Sequence, residues 1–353
     1  MNKKLLLFAL VILVCATFIS YSVAHAFFSN IAKSTNNVFT ASSQFPTATP
    51  IPTPQVAQTL VINELLPVSS CKDGNKDTNW IEVWNGSNTG VDLKNFKLSD
   101  GTNITDLVTA HFTLGSHLFA LIAKDGSIFN SGSSKGNKCY ADNGATTLNL
   151  GDSAPVSLTT GTIKLLQSDG TTVVDKVQFN GTFNGVALTP TSNQSIERVP
   201  TGHDTALGDT FVGTDFIVKE IPTPGYGTDL LLNEFIPHAT TEKVELFNPS
   251  FSSINLTGWT LVDAANTVKS ISSLGTIVSS GFAVFSNPAG WLNDTGPETL
   301  FLKNPSGQII DSHFYTGAVA IDKSIGRVTD GASLWKQTCT TSSIGTTNNG
   351  MCL

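Results

Sequence analysis

The sequence is poor in charged residues and in residues that favour helices. Only 13% of its 353 residues are Asp, Glu, Lys or Arg, about half the usual share, and Met and Arg each occur only twice. Ser, Thr, Asn and Gly are abundant instead; Thr favours strands, and Asn and Gly favour turns. After the N-terminal segment we find no amphipathic helical pattern. The composition and length predict an all-β protein with more than one domain.

The sequence also lacks the short motifs of common enzymes. It has no G-x-S-x-G, H-E-x-x-H or P-loop motif. The segment GDSAP at 151–155 resembles the serine block of one esterase class, but no D-x-x-H partner follows it. The histidines have no metal-ligand spacing, and we interpret them as loop or surface residues: His111, His117, His203, His238 and His313. We therefore expect no catalytic residues, no enzyme activity and no cofactor.

Positive charge is scarce throughout the chain. The formal net charge is −7, and residues 59–227 and 228–353 each contain more acidic than basic residues. Proteins that bind nucleic acid usually present a basic patch to the phosphates. The charge distribution therefore disfavours a nucleic acid partner.

The N-terminus has the features of an export signal. Lys3 and Lys4 precede an apolar run, and Ala24-His25-Ala26 forms an A-x-A site, which predicts a signal peptide at 1–26. Residues 5–24 are also about long enough to span a bilayer, so an uncleaved membrane anchor is the alternative. In both cases the remaining chain is expected to be extracellular, either secreted or anchored to the outer face of the cytoplasmic membrane.

A polar segment rich in Pro, Ser and Thr follows at 27–58. Its prolines alternate with other residues near the end, at positions 46, 50, 52 and 54. It has too little apolar surface to fold, and we interpret it as a disordered linker or spacer. A ligand for a proline-binding domain is the alternative.

Four cysteines lie outside the N-terminal segment. In an oxidising compartment an even number favours disulfides, and three connectivities are possible. The simplest is Cys71–Cys139 with Cys339–Cys352. A zinc site is disfavoured because the sequence has no C-x2-C pair.

The chain contains the same pattern twice. VINELLP at 61–67 matches LLNEFIP at 231–237, and four further blocks match in the same order: 80–85 with 243–248, 91–100 with 254–263, 173–181 with 309–317, and 195–199 with 324–328. Apolar residues alternate within the blocks, and turn signals separate them, as in β-sandwiches. We predict two domains, at 59–227 and 228–353.

These blocks resemble the lamin-tail domain. The matching features are I-N-E, then I-E-L-x-N, then a strand ending in G-W-x-L-x-D, then S-I-x-R. The resemblance spans roughly 59–353 and implies two immunoglobulin-like β-sandwiches in tandem, of the type found in exported bacterial proteins. The first copy departs at Asn95-Phe96, and SSIGTTNN ends the second copy where the first has PTPGYG at 222–227.

Each copy repeats one arginine and several carboxylates at equivalent positions. An arginine binds a carboxylate through two hydrogen bonds and stays charged when buried. We predict structural ion pairs in which Arg198 pairs with Glu64 or Glu82, and Arg327 with Glu234 or Glu245. A ligand-binding role of the arginines is the alternative.

Two further features suggest binding. Asp73, Asn75 and Asp77 begin like a calcium loop, but Thr78 and Trp84 stand where such a loop needs Gly and Glu. Asx-turns in a hairpin are the alternative to a metal site. Trp80 and Trp84 lie on the strand face opposite Ile81 and Val83, and we expect Phe247 and Trp291 to form analogous surfaces. Such aromatics either bind a ligand or pack beneath a loop or the neighbouring domain.

These observations predict an exported, non-catalytic interaction module. Its partner is expected to be an extracellular protein or polysaccharide. The alternatives are a structural spacer at the cell envelope and an accessory binding unit for an extracellular hydrolase or nuclease.

Overall fold

The structure is a computed structural model that describes residues 60–71, 77–130, 139–206 and 208–348. The predicted signal or anchor at 1–26 and the linker at 27–58 lie outside the described residues. Within the described ranges, no helix has the length and apolar character needed to cross a bilayer.

The described chain is all-β, as the sequence predicts. Its first half contains sixteen strands: β1 (Val61–Leu66), β2 (Trp80–Trp84), β3 (Val91–Asp92), β4 (Phe96–Ser99), β5 (Ile104–Asp106), β6 (Thr113–Leu114), β7 (Phe119–Ala123), β8 (Phe129–Asn130), β9 (Tyr140–Ala141), β10 (Thr146–Asn149), β11 (Thr162–Gln167), β12 (Val173–Gln178), β13 (Gly181–Phe183), β14 (Val186–Leu188), β15 (Ser195–Arg198) and β16 (Phe216–Lys219).

The second half of the described chain has eleven strands: β17 (Leu231–Ile236), β18 (Thr241–Phe247), β19 (Ile254–Asn255), β20 (Thr260–Val262), β21 (Val268–Ser270), β22 (Thr276–Ile277), β23 (Phe282–Pro288), β24 (Glu298–Lys303), β25 (Ile309–Tyr315), β26 (Ile325–Arg327) and β27 (Trp335–Lys336). The helices in the described ranges are single 3-10 turns at Leu93–Asn95, Gly126–Ile128, Gly213–Asp215 and Ser272–Leu274.

Each half contains two sheets with a hydrophobic core between them. In the first half a sheet of order β10-β7-β2-β1-β15-β16 faces one of order β12-β11-β4-β5. In the second half the orders are β23-β18-β17-β26-β27 and β21-β20-β24-β25. One apolar cluster is built from both sheets of the first half, and another from both sheets of the second. This arrangement is that of an immunoglobulin-like β-sandwich.

The strand order of the two halves is the same apart from additions to the first. β7-β2-β1-β15-β16 corresponds to β23-β18-β17-β26-β27, and β12-β11-β4-β5 corresponds to β25-β24-β20-β21. The first half adds β10 at one sheet edge, the hairpin β13-β14 and the pair β8-β9. These additions explain the longer loops of the first copy.

The repeated Asn-Glu phrase forms a β-bulge in each half. The register between β1 and β2 shifts between Ile62 and Glu64, and the register between β17 and β18 shifts between Leu232 and Glu234. The extra residue is Asn63 in the first half, and its amide donates to Glu82 at 2.9 Å. Asn233 makes the equivalent bond to Glu245 at 2.8 Å. The phrase is repeated because each bulge needs its own amide and carboxylate.

The arginines are buried and paired, but with aspartates of the opposite sheet. Arg198 Nη2 lies 2.5 Å from Asp175 on β12, and Arg327 Nη2 lies 2.9 Å from Asp311 on β25. The predicted pairing of Arg198 with Glu64 or Glu82, and of Arg327 with Glu234 or Glu245, is therefore wrong.

Strand alternation gives the physical reason for this correction. Arg198 and Ile196 point to the same face of β15, and Ile196 belongs to the core between the sheets. Glu82 lies between the core residues Ile81 and Val83, so its side chain points to the outer face of the same sheet. The arginine can therefore meet an aspartate across the core but not a glutamate on the other side of its own sheet.

Each arginine–aspartate pair also fixes the bulge. Asp175 accepts a hydrogen bond from the Ile62 amide at 2.7 Å, and Arg198 Nε donates to the Ile62 carbonyl at 2.9 Å. In the second half Asp311 and Arg327 bind both backbone groups of Leu232 in the same way. The guanidinium of Arg198 lies 4.4 Å from the Phe216 ring centre, and that of Arg327 lies 4.7 Å from the Trp335 ring centre.

We predict that Arg198→Met lowers the free energy of unfolding by about 3–5 kcal/mol, because Asp175 would remain buried without its partner. Urea unfolding monitored by tryptophan fluorescence measures the change. The control is Lys164→Met, which breaks the partly exposed pair with Asp209 and should cost about 1 kcal/mol or less. Equal effects of the two substitutions would contradict a dominant role of the buried pair.

Candidate binding groove and the carboxylates behind it

The predicted glutamates form a buried cluster on the outer face of the first-half sheet. Glu64 and Glu82 are completely buried, and backbone amides of the segment at 220–227 cover them. The Thr223 amide donates to both carboxylate oxygens of Glu64, at 3.0 and 3.2 Å. The Gly225 amide donates to Glu82 at 2.6 Å. The glutamates therefore hold the end of the first half in place.

The second half uses the same device with a different sequence. The Ser343 amide donates to both oxygens of Glu234, at 3.0 and 3.1 Å, and the Gly345 amide donates to Glu245 at 2.5 Å. Residues 342–348 thus take the structural place of PTPGYG, although the two segments share little sequence.

The glycine of each covering segment is required by its backbone conformation. Gly225 has φ +91° and Gly345 has φ +92°, a region that residues with a side chain rarely adopt. A Cβ at Gly225 would lie 2.2 Å from the Asp142 carbonyl oxygen. The position and backbone conformation of this glycine are therefore the same in the two segments, although most of their other residues differ.

A third glutamate distinguishes the first cluster from the second. Glu197 is completely buried on the same face as Glu64, and its carboxylate lies 2.9 Å from the buried ammonium of Lys219. Gly326 takes the place of Glu197 in the second half, since Glu64 pairs with Glu197 and Glu234 pairs with Gly326. Sequence reasoning missed Glu197 and Lys219; strand alternation from Arg198 would have placed Glu197 on this face.

Lys219 also connects the two halves. Its ammonium donates to the Ile310 carbonyl on β25 and to the Thr228 hydroxyl. Nearby, the Tyr226 hydroxyl donates to the Ile309 carbonyl at 2.8 Å. Glu220 accepts from the Phe314 amide at 2.9 Å. These bonds join the end of the first half to one strand of the second.

Burial raises the pKa of several of these carboxyl groups. The pKa of Glu64 is raised to about 8, mainly by loss of solvation and then by the negative charge of Glu197. Burial also raises the pKa of Glu82 and of Glu197. In the second cluster burial raises the pKa of Glu245 to about 7.

The disulfide predicted between Cys71 and Cys139 is confirmed, with 5.6 Å between the Cα atoms. It ties the loop after β1 to the start of β9. Cys339 is buried, and its predicted partner Cys352 lies outside the described residues, so the second pairing stays a prediction.

Two of the four predicted binding aromatics are buried. Trp80 is 0% exposed and packs edge-on against Phe129 and Tyr140, with 5.9 Å between ring centres in each case. Trp291 is 6% exposed and packs against Phe285. Of the two alternatives for these residues, packing applies and ligand binding does not, because a loop covers Trp80 and the core encloses Trp291.

The other two aromatics are half-buried. Trp84 lies beside His117, and Phe247 packs against Phe282 on the neighbouring strand. The interpretation of all histidines as loop or surface residues is also wrong for one of them. His313 on β25 is 3% exposed and stacks on Trp335 with 3.9 Å between ring centres.

The candidate calcium loop is only partly described. Asp73 and Asn75 lie outside the described residues. Asp77 accepts a hydrogen bond from the Asn79 amide at 3.1 Å, as in an Asx-turn, and lies 3.6 Å from the Lys124 ammonium. Among the residues that the structure describes, no three His, Cys, Asp or Glu side chains are grouped to hold a metal ion. Ser153 of the GDSAP segment is exposed in a loop.

An open groove of about 650 Å³ lies where the covering segment of the first half meets the second half. Its walls carry aromatic, proline, amide and hydroxyl side chains, and Glu220 and Lys303 are its charged residues. The lining residues are Ser70, Cys71, Cys139, Tyr140, Ala141, Asn143, Asn193, Glu220, Ile221, Pro222, Pro224, Tyr226, Lys303, Ser306, Gly307, Gln308 and Ile309.

Hydrogen bonds fix the wall of the groove that the first half provides. Asn143 donates to the Pro224 carbonyl at 2.7 Å, and Asn193 accepts from the Ser70 amide at 2.8 Å. The Cys71–Cys139 disulfide is part of the same wall. The groove is therefore preformed rather than assembled from long free loops.

Comparison with known families gives a match to one part of the chain. Residues 223–317 match the Lamin Tail Domain family model. The match begins in the covering segment of the first half and extends through β17 to β25, so the matched region includes Glu234, Glu245 and Asp311. It confirms the predicted resemblance for this part of the chain. The chain has no match among curated proteins.

The structure shows what the motif residues of this matched region do. Its Asn-Glu phrase forms the bulge, its strand glutamate receives the Asn233 amide, and its aspartate binds the backbone at the bulge. As an immunoglobulin-like β-sandwich, a lamin tail domain is suited to an interaction module.

We predict that the stability of the protein falls relative to a Glu64→Gln variant as the pH rises from about 4.5 to about 8. The folded protein holds the Glu64 proton up to about pH 8, whereas the unfolded chain loses it near 4.5. Folding takes up a proton in this window, so the contribution is complete below pH 4.5 and lost as the pH passes 8. The slope is up to about 1.4 kcal/mol per pH unit.

Urea unfolding of both proteins at pH 5, 6.5 and 8 measures the difference. The control is Asp169→Asn, because turn hydrogen bonds lower the pKa of Asp169 to about 2. Its difference from the parent should stay constant over this range. A constant difference for Glu64→Gln as well would contradict the raised pKa of Glu64.

Proposed function

We propose that the chain is an exported, non-catalytic interaction module that binds an extracellular polysaccharide in the groove between its two halves. The observation that carries the proposal is the lining of the groove. Among seventeen lining residues two are charged, and nine of the other fifteen are Tyr, Pro, Asn, Gln or Ser. Flat apolar surfaces beside hydrogen-bonding groups suit sugar rings with their hydroxyls.

The rigid frame of the groove supports this proposal. A ligand loses less free energy on binding when the site need not become ordered first. Here the disulfide, the Asn143 and Asn193 hydrogen bonds and the Lys219 junction hold the walls. The groove is open to solvent, which gives a polymer access to it.

Export is supported by the leader pattern and the disulfide. Disulfides persist in oxidising compartments, and Cys71–Cys139 forms part of the groove wall. We propose that the first half is a second, divergent lamin-tail-like domain, because its strand order, bulge and arginine–aspartate pair repeat those of the second half.

A structural spacer at the cell envelope is the second candidate. The junction of the two halves favours it, because Lys219 and Tyr226 fix one half to a strand of the other. A spacer needs such stiffness but no ligand. The two candidates differ in whether the groove binds anything.

We predict that the exported chain, residues 27–353, co-sediments with at least one insoluble polysaccharide of a panel containing peptidoglycan, chitin, cellulose and xylan. Gln308→Ala should weaken this binding several-fold, because Gln308 lines the groove and a hydrogen bond contributes about 1 kcal/mol. Gln167→Ala is the matched control, since Gln167 is exposed outside the groove.

The outcomes separate the candidates. Binding that Gln308→Ala weakens and Gln167→Ala leaves unchanged supports the groove as a polysaccharide site. The immobilised chain is also incubated with an envelope extract. If it retains proteins from the extract but no polysaccharide, the proposed ligand class is contradicted. No retention of either would favour the spacer.

A further inference from the structure

The second half has an open strand edge where the first half has a covered one. β23 ends its sheet, with β18 on one side and no strand of the described chain on the other. The equivalent strand of the first half, β7, lies between β2 and β10. Trp84 and Phe247 are equivalent in the aligned blocks 80–85 and 243–248. Since Trp84 pairs with Phe119 and Phe247 pairs with Phe282, Phe119 of β7 corresponds to Phe282 of β23, and the following residues correspond in order.

The ladder with β18 shows which backbone groups of β23 are unpaired. The Asn248 amide donates to the Gly281 carbonyl at one end, and the Ala289 amide donates to the Thr240 carbonyl at the other. Hydrogen-bonded pairs recur at every second residue of an antiparallel ladder. The odd-numbered residues of β23 therefore bond to β18, and the N–H and C=O groups of Phe282, Val284 and Ser286 point outward.

The sequence of β23 leaves this edge unprotected. Exposed edges are usually blocked by charged side chains or a bulge, and Phe282–Pro288 contains no charged residue. Pro288 occupies an outward position, where its missing N–H costs no ladder bond. Proline thus limits the open edge at its end, while Phe282, Val284 and Ser286 keep their outward donors and acceptors.

The first half shows how the equivalent edge is filled. β10 pairs with β7 in parallel, with Leu148 beside Ile122. The Leu150 amide donates to the Ala123 carbonyl at 2.9 Å. Leu148 packs against the core of the first half. By the strand correspondence, Ile122 is replaced by Phe285 and Ala123 by Ser286.

The covered edge strand β7 is more buried than the open edge strand β23 at equivalent residues. Residues 120–123 of β7 are all buried beneath β10 and the adjoining loop. The equivalent residues of β23 are half-buried at 283–285 and exposed at Ser286. Phe285 packs edge-on against Trp291, but no residue of a described strand lies beside it as Leu148 lies beside Ile122.

We infer that β23 binds an extended peptide segment of a partner protein, added in parallel to the sheet. The chemistry of β10 defines the peptide: Thr and Asn along the strand, with one leucine turned to the core beside Phe285. Strand addition uses backbone hydrogen bonds for affinity and side-chain pockets for specificity. This site lies on the second half and does not depend on the polysaccharide groove.

A parallel peptide fits better than a second copy of the chain. Two β23 strands that met across a twofold axis would run antiparallel. The internal precedent on β7 is parallel, with the leucine placed by that direction. Self-association through β23 is therefore the competing outcome of the test.

The experiment uses a fluorescent peptide with the sequence of residues 144–151, Gly-Ala-Thr-Thr-Leu-Asn-Leu-Gly, and the exported chain, residues 27–353. Anisotropy should show saturable binding. N-methylation of the second leucine, which corresponds to Leu150, removes the donor that bonds to the edge and should weaken binding about tenfold. N-methylation of the preceding asparagine is the control, because its N–H points away from the sheet and binding should be unchanged.

A protein variant checks the location of the bound peptide. Val284→Pro removes an outward N–H and should weaken peptide binding about tenfold, with circular dichroism showing that the sheet remains folded. The groove variant Gln308→Ala should bind the peptide normally. If Val284→Pro unfolds the sheet, the methylated peptides decide the question alone.

Three results would overturn the inference. They are an absence of saturable binding at millimolar peptide, equal weakening by both methylations, and concentration-dependent dimers in sedimentation experiments that the peptide does not dissociate. The last result would assign the edge to a second copy of the chain. Loss of polysaccharide binding in separate assays would leave this inference unaffected.

Discussion

The buried arginine–aspartate pair is the interaction on which each sandwich depends. It crosses the core from one sheet to the other and binds both backbone groups of the residue before the bulge. A buried ion pair gains stability only when its remaining donors and acceptors are satisfied. Here the residue before the bulge binds part of them, and the His203 and Ala332 carbonyls accept from the second guanidinium nitrogen of Arg198 and Arg327. The pair therefore fixes the distance between the sheets and the position of the bulge together.

The bulge in turn decides what the outer face of the sheet carries. One extra residue in β1 places Glu64 next to Glu82 on that face, with Asn63 bonded to Glu82. These two buried glutamate side chains accept hydrogen bonds from the backbone amides of the covering segment. That segment then forms one wall of the groove and brings Tyr226 to the second half. The groove is thus a consequence of the bulge, through a chain of buried hydrogen bonds.

Much of the fold could be predicted from the sequence because its signals lie within short stretches of the chain. Alternating apolar residues, turn residues and the repeated phrases predict strands, and the even count of cysteines predicts a disulfide that includes Cys71. The partner of Arg198 could not be found from the presence of carboxylates alone. Counting strand alternation from Ile196 would have excluded Glu64 and Glu82 as partners of Arg198. Choosing Asp175 requires knowing which strands of the two sheets face each other across the core.

The groove was harder to predict than the fold because its residues come from distant parts of the chain. Residues near 70, 140, 193, 222 and 306 line it, and no local pattern links them. The burial of the candidate binding aromatics was also difficult to predict. Alternation correctly places Trp80 on the face opposite Ile81, but the loop that buries this face follows no strand periodicity, so the face is not exposed.

The two halves share the same sandwich architecture, but only the first half has its sheet edge covered and a buried charged junction. In the first half β10 covers one edge of the sheet, and Glu197 with Lys219 adds a charged junction to the second half. The second half keeps the bulge, the arginine pair and the covered glutamates, which are what folding requires. It lacks a described counterpart of β10 and of Glu197. Features shared by both halves therefore belong to stability, and the differences between them indicate where each half meets something else.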